Sequence, residues 1–209
     1  MPVRIFRSLV DSRNVHTIRG DFFAIVGFIG LIWIVFVFDR FMQLEQYGLV
    51  PRSVRGLIGI VAMPFLHSDL SHIVSNTIPL AVTLFLLAGS RANSGAIVVL
   101  ITLLAGFGLW LFGREALHIG ASGLVFGLIA FHICSGIFER RIKSILIAFL
   151  IGGLYAGTLF NGVMPFQHGV SWEGHLIGAV AGALVALITA KMLVDPNTKA
   201  QQRYPNGEI

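Results

Sequence analysis

Long apolar runs divide the chain into alternating apolar and polar stretches, and few charged residues interrupt them. An α-helix rises about 1.5 Å per residue, so about 20 apolar residues cross the roughly 30 Å hydrocarbon core of a bilayer. Six runs approach or exceed that length, and we predict a membrane-spanning helix in each. They are residues 22–38, 70–90, 92–113, 116–138, 144–172 and 174–190.

The same pattern argues against a transmembrane β-barrel, whose strands alternate apolar and polar residues over about ten positions. The first run, "FFAIVGFIGLIWIVFVF", is apolar on every side. It ends in "DRFMQ" with no small-residue cleavage site, so we interpret it as a retained span rather than a signal peptide. Composition agrees, since 56% of the 209 residues are hydrophobic and 12% are charged, with a mean hydropathy of +0.83. The prediction is an all-α, polytopic membrane protein built as a six-transmembrane-helix bundle.

Three segments follow from this pattern. Residues 1–21 form a basic N-terminal arm, residues 22–194 form the six-helix core, and residues 195–209 form a polar tail with proline and glycine. The longest connection, residues 39–69, contains the apolar stretch "VRGLIGIVAMPFLHS". That stretch is too short to cross a bilayer, and we expect it to lie in or dip into the outer interface.

The formal net charge of +5 arises from basic residues that flank the apolar runs, so we expect no nucleic-acid partner. Lysine and arginine are more frequent in cytoplasmic loops than in external ones. The arm, the tail and the loops after the second and fourth spans hold eleven of them, whereas the opposite loops hold four. Those four are Arg40, Arg52, Arg55 and Arg114. Both termini are therefore predicted to be cytoplasmic.

Polar residues inside the apolar runs converge on one depth. His72 and Asn76 lie at the start of the second span, Ser122 opens the fourth and His175 opens the sixth. With the N-terminus inside, the second, fourth and sixth spans all run from outside to inside. Hydrocarbon offers polar groups no water, so each of these side chains needs a partner or a cavity. The topology therefore predicts a polar site near the outer surface.

Glycine spacing predicts that the fourth and sixth spans pack closely. Gly178 and Gly182 form a G-x-x-x-G pair, which lets helix backbones approach each other. His175 lies on the same helical face as these two glycines. His72 and Asn76, four residues apart, likewise share one face of the second span. The fourth span has glycines of its own that would allow the same close approach, namely Gly120, Gly123 and Gly127.

These motifs resemble those of rhomboid intramembrane serine proteases of the bacterial type with a six-helix core. The "GASG" around Ser122, the "GHLIGAVAG" around His175 and the "HSDLSHIVSN" with His72 and Asn76 occur in the family's order on the second, fourth and sixth spans. The resemblance covers residues 22–194 and implies a Ser-His dyad in a water-filled cavity that opens outward. His67 also resembles a histidine often found in the family. The Trp-Arg pair common in the first outer loop of many members is missing.

The chemistry of the residues agrees with this resemblance. A serine hydroxyl is a poor nucleophile until a base takes its proton, and we predict His175 as the base for Ser122. No carboxylate lies at a spacing that would orient His175, so we expect a dyad whose imidazole is held by packing. Phe126, one turn after Ser122, is placed to stack on that ring, as an aromatic does in the family. The predicted oxyanion donors are the Ser122 backbone N–H at a helix start, His72 and Asn76.

Three alternatives stay open at this point. A metal hydrolase ranks low because the chain has no H-E-x-x-H motif and no carboxylate paired with histidines at ligand spacing, so we expect no metal and no cofactor. A transporter ranks low because no charged residue lies mid-span. The remaining alternative is a catalytically silent rhomboid-like protein that binds membrane clients.

The expected partners are the lipid bilayer and a transmembrane protein substrate, and the expected location is a bacterial inner membrane. A substrate helix must enter sideways, and the fifth span carries Gly152, Gly153 and Gly157, which weaken its packing. We predict that this span moves to admit substrate. The following segment is predicted to cap the site with Met164 and Phe166.

Overall fold

The computed structural model describes residues 18–91, 93–165 and 169–194. Within those ranges, six helices are long and apolar enough to cross a membrane, and the sole β-pairing is an isolated bridge between Leu49 and His118. The all-α, six-span prediction is confirmed. The helices are α1 (Ile18–Met42), α2 (Leu70–Ser90), α3 (Ser94–Phe112), α4 (Ser122–Glu139), α5 (Ile142–Gly162) and α6 (Trp172–Val194). Residues 1–17 of the predicted arm, the predicted tail and Phe166 lie outside the described residues.

Two apolar runs extend well beyond the helices within them. Helix α4 begins at Ser122, the residue predicted to open the fourth span, and not at residue 116 where the apolar run begins, because the backbone at Gly120 has a φ of +109°, outside the helical region. The fifth span ends at Gly162 rather than at residue 172. Met164 precedes Pro165, and a proline ring disfavours helical backbone geometry in the residue before it. In both places apolar loop residues prolonged the hydropathy signal.

Helix α4 lies at the centre of the bundle and α5 at its edge. In the most apolar window of each helix, 67% of the α4 residues are buried but only 6% of the α5 residues. Helices α4 and α6 pack backbone to backbone, since a Cβ added at Gly178 or Gly182 would collide with the carbonyl of Gly123 or Gly127. Glycine is required at this crossing because no side chain fits there.

The loop between α1 and α2 is folded onto the end of α3. It contains four short helical segments, and the guanidinium of Arg52 donates to the carbonyls of Leu111 at 3.3 Å and Gly113 at 2.7 Å. The indole nitrogen of Trp110 donates to the Ser53 carbonyl at 2.9 Å. Both contacts satisfy backbone carbonyls near the end of α3 or in the loop. The loop is thus anchored although it lacks a Trp-Arg pair. The short segments are Leu44–Tyr47, Arg55–Leu57, Gly59–Ala62 and Met63–Phe65.

At the opposite end of the bundle, polar contacts join α2, α4 and α5. Arg91 pairs with Glu139, and the Ser144 hydroxyl donates to the second oxygen of that carboxylate at 2.7 Å. The Lys143 ammonium donates to the Gly89 carbonyl at 2.6 Å. Helix α5 is therefore fixed by polar groups at this end.

Candidate active site

Ser122 is the first residue of α4, at the end of a tightly folded turn. The backbone N–H of Gly120 donates to the Met63 carbonyl at 2.9 Å. A Cβ at Gly120 would lie 2.6 Å from Nε2 of His72, so glycine is required here both by the positive φ and by the approach of that ring. This turn brings Ser122 and His72 to the same place in the fold. The unpaired backbone N–H groups at the start of α4 and the helix dipole favour negative charge.

His175 lies in the first turn of α6, and two contacts fix its ring. Its Nδ1 is 2.8 Å from the Gly162 carbonyl at the end of α5. A carbonyl accepts, so Nδ1 carries the proton and Nε2 is left as the basic nitrogen of a neutral ring. The ring stacks on Phe126 with centroids 4.0 Å apart and planes at 8°. The sequence suggested only packing as the orienting force, and the Gly162 carbonyl is an addition to it.

Ser122 and His175 lie on neighbouring backbones. A Cβ added at Gly123, the residue after Ser122, would lie 3.5 Å from the carbonyl oxygen of Gly174, the residue before His175. Among the hydrogen bonds of the described residues there is none between the Ser122 hydroxyl and His175. Such hydrogen bonds are often long without substrate and tighten when it binds. The arrangement places the residues that carry a hydroxyl and an imidazole on adjoining backbone segments.

His72 and Asn76 lie one turn apart at the start of α2. Asp69 caps this helix by accepting from the His72 backbone N–H at 2.9 Å. The Ser68 hydroxyl donates to Asp69 at 2.8 Å and lies 3.2 Å from Nδ1 of His72. Because that hydroxyl has one hydrogen, Nδ1 is the donor in the second contact and Nε2 of the neutral ring carries none. His72 therefore donates from Nε2 only after taking up a second proton.

Asn76 is better supplied with donors. Its side-chain nitrogen donates one hydrogen to the His72 carbonyl at 2.8 Å and keeps a second. The side chain is buried. An amide N–H on a buried helix face is a fixed dipole of the kind that stabilises a developing oxyanion.

His67 is fully buried behind these residues. Its Nε2 accepts from the backbone N–H of Ala121 at 3.3 Å, and its ring meets that of His72 edge to face with centroids 4.9 Å apart. Burial, and next the neighbouring His72, lower the pKa of His67 from 6.5 to about 4. A neutral His67 thus holds the residue before Ser122.

A second polar cluster, absent from the sequence-based prediction, joins the loop before α4 to the start of α6. The His118 ring nitrogens lie 2.7 Å from the Ser171 hydroxyl and 3.1 Å from the Arg114 carbonyl. Arg114 also donates to the Val170 carbonyl at 2.8 Å and pairs with Glu173 at 3.5 Å. The available sequence signal was Ser171 directly before the last apolar run, a common helix cap.

Comparison with known proteins agrees with this architecture. The family model described as the Rhomboid domain matches residues 54–192. A Mycobacterium tuberculosis protein described as uncharacterized is 38% identical in an alignment of 191 residues that covers 85% of this chain and 77% of that protein. An uncharacterized Mycobacterium leprae protein is 34% identical in an alignment of 177 residues that covers 79% of this chain and 70% of that protein. The chain belongs to the rhomboid family and is an integral membrane protein with six spans.

Proposed function

We propose that this protein is an intramembrane serine endopeptidase in which Ser122 is the nucleophile and His175 the general base. The observation that carries the proposal is the His175 ring, held between Phe126 and the Gly162 carbonyl with its basic Nε2 left available. Gly174, the residue before His175, packs against Gly123, the residue after Ser122. A nucleophile, an oriented base and oxyanion donors are the parts that acyl transfer requires.

The reaction follows from these positions. The Ser122 oxygen bonds to the scissile carbonyl carbon as its proton moves to Nε2 of His175, and the carbonyl electrons move onto oxygen. The backbone N–H of Ser122 and the side chain of Asn76 donate to that oxyanion, and His72 donates from Nε2 when its ring has taken up a second proton. The C–N bond then breaks, and His175 returns the proton to the leaving amine. Water attacks the acyl-enzyme by the reverse sequence of proton transfers, which frees Ser122.

The substrates we propose are transmembrane segments cut near their outer end, with both termini of the enzyme in the cytoplasm of a bacterial cell. The candidate residues lie in the first two turns of α2 and the first turns of α4 and α6, and these helices all begin at the same end of the bundle. A substrate helix has its carbonyls hydrogen-bonded internally, so it must unwind before attack. Segments with Gly, Ser or Pro near that end unwind most easily.

A serine-directed fluorophosphonate tests the proposal without knowledge of the substrate. We expect the purified protein in detergent to be labelled at Ser122, as mapped by peptide mass spectrometry. Labelling should be lost in Ser122→Ala and strongly slowed in His175→Ala. A folded wild-type protein that is never labelled would support a client-binding protein without catalysis instead.

A further inference from the structure

We propose that His118 is a positioning residue, which holds the start of α6, and with it His175, in register with Ser122. The inference rests on the proposed function. The contact that carries it is the hydrogen bond between the His118 ring and the Ser171 hydroxyl, at 2.7 Å. His118 is four residues before Ser122, and Ser171 is four residues before His175.

The His118 side is rigid. Its backbone pairs with Leu49 in both directions, at 2.8 and 2.9 Å, and both residues are buried. Its Nε2 donates to the Arg114 carbonyl, so Nδ1 accepts the Ser171 hydroxyl hydrogen in a neutral ring. Burial lowers the pKa of His118, which favours that neutral form. The ring is therefore a fixed acceptor and not a mobile surface group.

The Ser171 side controls the first turn of α6. Its hydroxyl accepts from the Gly174 backbone N–H at 3.3 Å, and its carbonyl accepts from the His175 backbone N–H at 3.1 Å. The first turn of a helix has few hydrogen bonds of its own and frays unless a cap satisfies its N–H groups. A displacement of Ser171 is thus transmitted directly to the His175 backbone.

A second fixed point explains why this contact matters for geometry. The backbones of α4 and α6 also meet at Gly123 with Gly178 and at Gly127 with Gly182. Those contacts set how closely the two helices approach, whereas the His118–Ser171 hydrogen bond joins the segments that lead into them and so fixes the start of α6 relative to the start of α4. The contacts of Arg114 with Val170 and Glu173 act at the same end, but the arginine is about half exposed and such pairs contribute little.

The test is the rate and the end point of fluorophosphonate labelling of the full-length protein. The end point counts folded sites, and the rate reports the Ser122–His175 geometry in each site. We expect His118→Ala to slow labelling about 10- to 100-fold, the effect of misplacing reacting groups by about 1 Å, with an unchanged end point. His118→Asn, whose amide oxygen can accept from Ser171, should restore most of the rate.

His132→Ala is the matched control. His132 is also buried and also hydrogen-bonded to a backbone carbonyl, that of Thr83 at 3.0 Å, but it lies three turns into α4. We expect it to lower the thermal midpoint while the labelling rate stays near wild type. Ser171→Gly, which keeps a tolerated cap residue but loses the hydroxyl, should slow labelling as His118→Ala does even if the latter folds poorly.

Three results would overturn the role. His118→Ala or Ser171→Gly could label at the wild-type rate, or His118→Ala and His132→Ala could slow labelling equally, which would mean general destabilisation. A wild-type protein that is never labelled would overturn the proposed function and this role together.

Discussion

At the scale of single residues, the candidate base is oriented by groups that are not acids. The Gly162 carbonyl fixes the proton on Nδ1 of His175, and Phe126 fixes the plane of the ring. A backbone carbonyl holds the neutral ring in the required tautomer but offers less than a carboxylate to the imidazolium that forms during catalysis. Stabilisation of the transition state must therefore come mainly from the oxyanion donors, which can be tested singly.

Asn76→Ala and His72→Ala should each lower kcat much more than they raise KM, because oxyanion donors act chiefly in the transition state. Loss of one such donor costs roughly 100- to 1000-fold. We expect Asn76→Ala to be the more severe near neutral pH, since Nε2 of His72 must first gain a proton. Steady-state cleavage assays separate the two constants. Variants that bind substrate poorly but cut at full rate when saturated would mean that these residues position the substrate.

His67 makes the stability of the fold depend on pH in a defined direction. Its pKa is about 4 in the fold and near 6.5 when exposed. Between these values the unfolded chain binds a proton that the folded protein does not, so stability is fully present above pH 6.5 and falls as the pH drops toward 4. The loss amounts to at most about 3 kcal/mol.

The measurement is the thermal midpoint of wild type and His67→Gln from pH 7.5 to 4.5. Glutamine keeps an acceptor for the Ala121 N–H but does not titrate. We expect the wild-type midpoint to fall more steeply below pH 6.5, while contributions from all other groups cancel between the two proteins. Parallel curves would show that His67 is not held neutral by burial.

At the scale of helices, α5 differs from its neighbours in how it is held. Ile151 is its one buried side chain among the described residues. Polar contacts fix its end near Lys143 and Ser144, while its other end reaches the site through the Gly162 carbonyl. A helix held at one end and loosely packed along its length is suited to pivot, and here its pivoting end also contacts the base.

Locking α5 to α2 near the site should block transmembrane substrates but not small probes. We would introduce a cysteine pair at the outer ends of the two helices in a Cys134→Ala background, since Cys134 is the free thiol of the chain. With the disulfide formed, cleavage of a transmembrane substrate should stop, while fluorophosphonate labelling of Ser122 continues because the Gly162–His175 contact is kept. The reduced protein is the control. Full cleavage by the quantitatively oxidised protein would rule out movement of α5 as the entry route.

The contact between α4 and α6 gives a second test at this scale. A methyl group at Gly182 would collide with the Gly127 backbone, whereas one at Gly153 in α5 would meet nothing within 4 Å. Gly182→Ala should therefore destabilise the protein by about 1–3 kcal/mol or more, as overpacking does. Gly153→Ala is the matched control and should be neutral or slightly stabilising. Equal thermal midpoints for the two variants would contradict the close crossing.

At the scale of the whole molecule, the bilayer decides which features can be predicted from sequence. Hydrocarbon requires continuous apolar helices, so the six spans and the common level of His72, Ser122 and His175 follow from hydropathy. The ends of the fourth and fifth spans do not, because the loops beside them are apolar as well. The residue roles rest on the motif resemblance and remain predictions.

The contacts that orient the site could not be predicted from the sequence, for a different reason. The partners of the His118–Ser171 hydrogen bond are 53 residues apart, and those of the His175–Gly162 hydrogen bond are 13 apart across a helix end that hydropathy misplaced. Neither pair has a periodicity or spacing that marks it. Such contacts depend on the packing of helices against one another, which a single sequence does not encode in any local pattern.

The central claim is that Ser122 and His175 cut peptide bonds inside the membrane, and reconstitution tests it most directly. Wild-type protein, Ser122→Ala and His175→Ala would be placed in liposomes with a transmembrane substrate that carries Gly and Ser near its outer end. We predict cleavage near that end by the wild type and none by either variant, with all three equally helical by circular dichroism. Cleavage by purified Ser122→Ala at the wild-type rate would contradict the account.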